Sequence, residues 1–274
     1  IGTPMAFHQE LEIALAAAAR AGDYLQAAYS DFKAIPNAPA SISTEADRNS
    51  QELILTSIAA AFPNDSLCGE EGTPTLAAAK RSGDRLWVVD PIDGTRGFVM
   101  KNGEFSVMIG LVAEGKVVVG VVLEPAYSRT TFAKLGGGCW VQLANGEKQR
   151  CHVTQTATLT ESVLVQSHAK KGETPWPVVA MKPKRIVETY SAGVKLAMVA
   201  RGEVDMYVNT YANFSDWDIC AGDILVTEAG GLATGISGIP LRYGTPGNSQ
   251  RDGLLATNGL LHPLAVQALN SPRT

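Results

Sequence analysis

A chain of 274 residues, 45% hydrophobic and 18% charged, has the composition of an ordinary soluble protein and enough length for a sizeable core in one large or two modest domains. Its net charge of -4 supplies no basic footprint for a nucleic-acid polymer or an anionic membrane, so an anionic partner needs a local site, and no apolar run approaches a membrane span. The four cysteines, Cys68, Cys139, Cys151 and Cys220, show no CxxC spacing, which argues against structural zinc and for reduced thiols in a cytoplasmic protein.

Ile1 to Pro4 precede Met5 and read as an expression remnant. Leu11, Leu15, Ala18, Leu25 and Tyr29 fall at helical spacing with Gly22 on the same face, so Phe7 to about Tyr29 reads as an amphipathic helix. Glu10, Glu12 and Arg20 interrupt the apolar pattern that a signal peptide would need. Lys33 to Ala40 holds two prolines and no periodicity, and it leads through Ser41-Ile42-Ser43-Thr44 into a helix with Leu53, Ile54, Ile58 and Phe62 on one side. Asp47 opens that helix, either as an N-terminal acid that caps free N–H groups or as an acid facing a water. Ser66-Leu67-Cys68-Gly69-Glu70-Glu71-Gly72 then sets two acids in a glycine-flanked stretch, which an exposed acidic loop would also produce.

Leu86-Trp87-Val88-Val89 is an apolar run that ends in Asp90-Pro91-Ile92-Asp93-Gly94-Thr95, a buried strand and the turn that leaves it. Two carboxylates so close at the end of a buried strand repel and lose hydration, and a multivalent cation between them is the natural compensation; the other reading is a plain turn. With Glu70 and Glu71 they make four carboxylates within a short span. Oxygen-only ligands suit Mg²⁺, which shares its remaining positions with water and substrate phosphate. Beyond Gly94, the N–H groups at Thr95 and after open onto a helix start, so that a phosphate site would adjoin the metal site.

Phe105 to Val112 and Lys116 to Leu123 read as strands joined by Ala113-Glu114-Gly115, and Gly138 to Leu143 with Asn145-Gly146 suggests a further hairpin. Gly136-Gly137-Gly138 lacks the context of a nucleotide fingerprint and reads as a bend. A first half, 5–150, of helices followed by antiparallel strands gives way to a second, 151–274, in which Ser162 to Gln166, Arg185 to Thr189 and Val204 to Val208 read as strands and Gly193 to Ala200 as a helix. The class expected is a layered α/β or α+β fold. His168 ends one of these strands and is a surface residue or a base; Lys195, in an otherwise apolar helix, is solvated or binds an anion. Asp216 to Glu228 has a helical face of Ile219, Gly222 and Val226, acids in its first turn and Gly230-Gly231 as its stop; Leu254 to Leu269 supplies a short strand and a closing helix.

Asp90-Pro91-Ile92-Asp93-Gly94-Thr95 resembles the first signature of the inositol monophosphatase superfamily of metal-dependent phosphatases. Trp217-Asp218, opening a small-residue helix that ends Glu228-Ala229-Gly230-Gly231, resembles the second, in the right order, and the likeness covers the chain from Met5 onward. It implies an αβαβα sandwich of the inositol monophosphatase and fructose 1,6-bisphosphatase type. Its first half would carry most metal ligands, and its second would complete the active site and substrate pocket. By the same resemblance Glu70, Asp90, Asp93, Asp218 and the Ile92 carbonyl hold two or three Mg²⁺ ions, Gly94 and Thr95 bind phosphate, and Asp47 and Thr95 orient and deprotonate the attacking water. Family members are typically lithium-sensitive monomers or dimers. Metal ions roughly 3.5–4 Å apart suit in-line displacement with no covalent phosphoenzyme, and the sequence offers no convincing nucleophile with a base beside it.

Lys101-Asn102-Gly103-Glu104-Phe105-Ser106-Val107, Ser167-His168 and Ser191-Ala192-Gly193-Val194-Lys195 look most like the 3′(2′),5′-bisphosphate nucleotidase branch, which removes the 3′-phosphate of adenosine 3′,5′-bisphosphate. In that branch the residues matching His168, Ser191 and Lys195 lie at the nucleotide side. After Tyr207-Val208, where the branch often has an arginine, this chain has Asn209. Inositol 1-phosphate and histidinol phosphate belong to sister branches with the same metal core, and nothing in the residues singles out fructose 1,6-bisphosphate. A catalytically silent metal- or phosphate-binding regulator, the reading from another class, would not need the Asp47 and Thr95 pair.

Overall fold

A computed structural model of the chain describes residues 6–39, 41–80, 83–211, 214–245 and 247–272. Ile1 to Met5 and Ala40 therefore lie outside the described residues. The first half runs α1 (His8–Asp31), α2 (Glu45–Ala61), β1 (Ser66–Gly69), α3 (Pro74–Ala78), β2 (Arg85–Asp93), α4 (Thr95–Val99), β3 (Ser106–Ala113), β4 (Lys116–Glu124), β5 (Arg129–Lys134), β6 (Gly138–Gln142) and β7 (Lys148–Arg150). The second runs β8 (Val163–Gln166), α5 (Trp176–Met181), β9 (Arg185–Glu188), α6 (Ala192–Ala200), β10 (Met206–Asn209), β11 (Phe214–Ser215), α7 (Asp216–Glu228), β12 (Leu232–Thr234), β13 (Ser249–Gln250), β14 (Leu254–Thr257) and α8 (His262–Asn270).

Three apolar cores in series hold five layers together, the middle core enclosing both faces of one helical layer, and strand alternation builds them. Val107, Ile109 and Leu111 of β3 face a core closed by α1 and α2. Met108 and Val112, on the other face, enter a second core with α6, α7 and one face of the second sheet, through Val165, Tyr207 and Ala256. Leu164, Met206, Val208 and Leu255 point the opposite way, into a third core with α5 and α8. The order is thus α1/α2, a 7-stranded sheet β1 to β7, α6/α7, a 5-stranded sheet β12-β14-β10-β8-β9, and α5/α8. This is the expected αβαβα sandwich.

The middle layer sits close because the sequence makes room for it. A Cβ at Gly110 would stand 2.6 Å from Cys220 Sγ, one at Gly120 would stand 2.3 Å from the Ala221 carbonyl, and one at Gly222 would overlap Leu196. The small-residue face of α7 therefore lies directly on the first sheet and brings its N-terminus to the end of β2.

Several elements differ from the sequence reading. Ser66 to Gly69 is a strand parallel to β2, so the two acids stand in the turn after a strand and not in a free acidic loop. Arg129–Lys134 is a strand and Trp176–Met181 a helix that the pattern did not announce; the first mixes half-buried and buried positions without clean alternation, and the second is barely more than a turn. Gly136 to Gly138 form the bend between β5 and β6, as the sequence suggests, and Glu228 holds it: its carboxylate accepts from the Gly136 and Gly138 N–H groups, both at 2.8 Å. All four cysteines are buried and none forms a disulfide. Among the described residues no helix is long and apolar enough to cross a membrane.

Candidate active site

The register of β2 creates the site. Asp90 pairs with Met108 and Asp93 with Ser106, so that Pro91 and Ile92 together oppose one residue of β3. In a regular strand residues three apart face opposite sides; the extra residue of this bulge returns both aspartates to one face, the face covered by α6 and α7. Pro91, which has no N–H to give the ladder, suits the interruption.

Each aspartate is then fixed by its own surroundings. Asp90 accepts from the Ile92 N–H at 3.1 Å. Asp93 Oδ2 collects the Gly193 N–H at 2.7 Å, the Ser106 hydroxyl at 3.3 Å and the Ser191 hydroxyl. Asp218, in the first turn of α7, accepts from the Ser215 N–H at 2.8 Å. The neighbouring Asp216 is spent on structure, accepting from Gly244 N–H and Gln250 Nε2. Asp90, Asp93 and Asp218 bring ligand oxygens within 4.8 Å of one another.

Glu70 stands nearby on the turn after β1. The buried Gln51 side chain clamps that turn, donating from Nε2 to the Glu71 carbonyl and accepting the Glu71 N–H at 2.9 Å. Gly69 is required there, since a Cβ would lie 2.6 Å from Gln51 Oε1. Ser43 ties the segment before α2 to the same turn through Glu71, at 2.7 Å.

The electrostatics are those of crowded carboxylates. Burial raises Asp90 well above the ordinary range, and Glu70 and Asp93 add to the effect. Asp218 rises to about 7, through burial first and then Asp93. Asp93 is raised less freely, because Ser191, Gly193 and Lys195 offset its burial. Glu70 is also pushed up, by lost hydration and then by Asp218 and Asp47, although the residue keeps much of its surface open. An oxygen-only donor set that resists ionising together is what a hard divalent cation relieves, so the residues fit Mg²⁺.

Asp47 and Thr95 form the second part of the site. Asp47 is fully buried at the third position of α2. Its Oδ2 accepts from Thr44 N–H at 2.8 Å and Thr44 Oγ1 at 2.6 Å, which is the capping role, while Oδ1 accepts from the Thr95 hydroxyl at 2.9 Å. One oxygen thus serves the capping reading, and the other is bound to Thr95. Thr95 Oγ1 also lies 3.0 Å from the Ile92 carbonyl. Gly94, at φ +84°, takes the left-handed turn that ends the strand, where a Cβ would meet the Glu104 carbonyl at 2.6 Å. α4 starts at Thr95, and its first N–H groups have no intrahelical acceptor.

A cavity of about 550 Å³ opens over these groups. Glu70, Asp90, Ile92, Asp93, Thr95 and Asp218 line one side, and Arg96, His168 and Tyr190 another, with Ser41 to Ser43 at the rim. His168 is held by Glu104 at 2.7 Å and packs on Tyr190 at 4.3 Å between centroids. Ser191 and Lys195 are not on the wall. Ser191 caps α6, accepting from Val194 N–H at 3.0 Å, and supports Asp93. Lys195 is neither solvated nor open to an anion: it is 1% exposed, and its ammonium donates to Ser167 Oγ and to the Thr189 and Tyr190 carbonyls. Burial lowers it to about 8, with Asp93 opposing the shift. Gln51, Ser106, Glu104, Arg96 and Tyr190 were not singled out as site residues from sequence; only the Ser106 and Glu104 stretch carried any signal, as part of the branch resemblance.

The fold and the carboxylate cluster are those of a metal-dependent phosphoric monoester hydrolase. The family comparison agrees: the model of the inositol monophosphatase family matches residues 7–272, and the chain belongs to that family. It is 36% identical over 234 residues to the fructose-1,6-bisphosphatase/inositol-1-monophosphatase of Thermotoga maritima, covering 84% of this chain and 82% of that one. It is 30% identical to a histidinol-phosphatase of Mycobacterium tuberculosis, covering 96% and 99%. The solved Thermotoga maritima inositol monophosphatase superimposes with a TM-score of 0.79 at 32% identity, covering 96% and 97%.

Proposed function

We propose that this enzyme removes the 3′-phosphate of adenosine 3′,5′-bisphosphate in a Mg²⁺-dependent, lithium-sensitive reaction. The observation that carries the reaction class is the convergence of Asp90, Asp93 and Asp218 beside the Asp47 and Thr95 pair. Those three acids, with Glu70 and the Ile92 carbonyl, would hold Mg²⁺. When bound, the metal lowers the pKa of a water, polarises a phosphoryl oxygen and neutralises the leaving oxygen.

The chain's own groups handle the proton. Thr95 donates its hydrogen to Asp47, so its lone pairs accept a hydrogen from the incoming water. As the water oxygen bonds to phosphorus, its proton passes to the Thr95 hydroxyl and the threonine proton moves to Asp47, whose burial raises its proton affinity. The P–O bond to the 3′ oxygen breaks opposite; that oxygen takes up a proton from solvent as the product alcohol, and Asp47 returns its proton to solvent. No side chain needs to form a covalent intermediate.

Support for a nucleotide comes from the second wall. Tyr190 and His168 form an aromatic ledge suited to a base, and Arg96 stacks on Tyr190 at 5.0 Å. A second reading, a monophosphate of inositol or histidinol, draws on Asn209 in place of arginine and on the names of the Thermotoga and Mycobacterium relatives. Phosphate release with Mg²⁺ from adenosine 3′,5′-bisphosphate, inositol 1-phosphate and histidinol phosphate, each with and without lithium, separates the two. A clear preference for the nucleotide supports the first reading; preference for either monophosphate replaces the substrate and keeps the site.

A further inference from the structure

Arg96 is the one permanently cationic side chain lining the main cavity among the described residues. Among the described residues, the other basic side chains near it are already committed. Lys195 gives its ammonium to three oxygens, and His168 is clamped between Glu104 at 2.7 Å and Glu188 at 3.7 Å. Lys101 points away and donates to the Tyr29 and Ser30 carbonyls. Arg96, by contrast, forms no ion pair with any of the four cavity acids, and its buried Nε has no hydrogen-bond partner. Its guanidinium lies over the face of Tyr190.

A buried guanidinium nitrogen left without an acceptor is costly, and the planar fork that carries it is suited to a phosphate or carboxylate. The acid cluster does not supply that partner, although it shares the cavity. We infer that Arg96 is a specificity residue that binds a second anionic group of the substrate, with Tyr190 holding the guanidinium flat. The reacting phosphate then lies over Asp90, Asp93 and Asp218 while the second anion lies against the Arg96 wall, so the enzyme selects bisphosphates over monophosphates. This rests on the phosphatase reading of the site and deepens it, without depending on adenosine as the carrier.

The test compares wild type, R96Q and R96K on adenosine 3′,5′-bisphosphate, fructose 1,6-bisphosphate and inositol 1-phosphate, with calorimetric binding of AMP and adenosine as a readout apart from turnover. Loss of a charge-assisted bidentate contact predicts that R96Q lowers kcat/KM for the preferred bisphosphate by roughly ten- to a hundred-fold, mainly through KM. Inositol 1-phosphate should stay within about threefold of wild type. Wild type should bind AMP more tightly than adenosine, R96Q should lose that difference, and R96K should recover part of it. Thermal melting of both variants checks that the fold is kept. If fructose 1,6-bisphosphate is the preferred substrate and R96Q loses it selectively, the Arg96 inference stands and the nucleotide reading falls. If the nucleotide is preferred and R96Q leaves it untouched, the reverse holds. An equal loss on all three substrates, or a wild type with no advantage for a second anion in turnover or binding, overturns the inference.

Discussion

The two sides of the cavity are built on opposite principles. The acid side hangs on a strand bulge and a helix start packed on glycines, and each aspartate spends hydrogen bonds on neighbouring backbone N–H groups. The other side, Arg96, Tyr190 and His168, consists of half-buried and exposed side chains packed on one another, with the His168 ring and the Tyr190 N–H both hydrogen-bonded to Glu104. A rigid side that holds charge in place serves chemistry common to a whole family. A side made of adaptable contacts can change from one substrate to another without disturbing that chemistry.

The largest effect should follow from damage to the acid side. Asp93→Asn keeps the shape and removes a ligand charge at the centre of the cluster. Loss of metal-based charge stabilisation worth several kcal/mol corresponds to a fall in kcat/KM of about a thousandfold or more, on every substrate alike. Phosphate release across the substrate panel, with circular dichroism to check folding, measures it. A loss confined to one substrate would mean that the two sides are not separable in this way.

Next is Ser191→Ala, which leaves all the acids in place and removes a donor from Asp93 and the cap from α6. A support removed from a ligand typically costs 10–100-fold in metal affinity, so the Mg²⁺ activation constant should rise by roughly that factor. The lost cap should cost about 1 kcal/mol of stability. If Ser191 instead touched the nucleotide, KM for the nucleotide would rise while the Mg²⁺ constant stayed put. Magnesium activation curves on nucleotide and inositol phosphate together tell these apart.

The same contrast explains what could be read from the residues alone. The acids were legible because chemistry demands them: Asp90, Asp93 and Asp218 fall in runs whose pattern of strand, turn and helix start is local. Their convergence was not, because a spacing of three in a strand implies opposite faces, and only the bulge between Asp90 and Asp93 reverses that. Lys195 was misplaced for a related reason. A lysine in an apolar helix looks exposed or functional, but here two carbonyls of the preceding loop and Ser167 consume its three donors, which no local pattern encodes. Arg96 adjoins the first signature, yet what marks it is a buried Nε without a hydrogen-bond partner, which exists only in three dimensions.

The smallest expected effect lies in stability, and its sign is specific to the acid side. With no cation bound, Asp218 has a folded value near 7 against an unfolded value near that of a free aspartate, and Asp90 and Asp93 are shifted the same way. The folded state therefore holds protons that the unfolded chain has released. The contribution is fully present below the unfolded value and is lost as pH rises through the folded ones, so metal-free protein should melt progressively lower between about pH 4 and pH 8. Mg²⁺ needs the deprotonated ligands, so the stabilisation it confers should grow over that interval. A gap between melting temperatures with excess Mg²⁺ and with chelator that widens from near zero at low pH to about 5 °C at pH 8 fits this account. A gap independent of pH would mean that the stabilising cation binds away from these carboxylates, and the acid side would lose its claim to be the metal site.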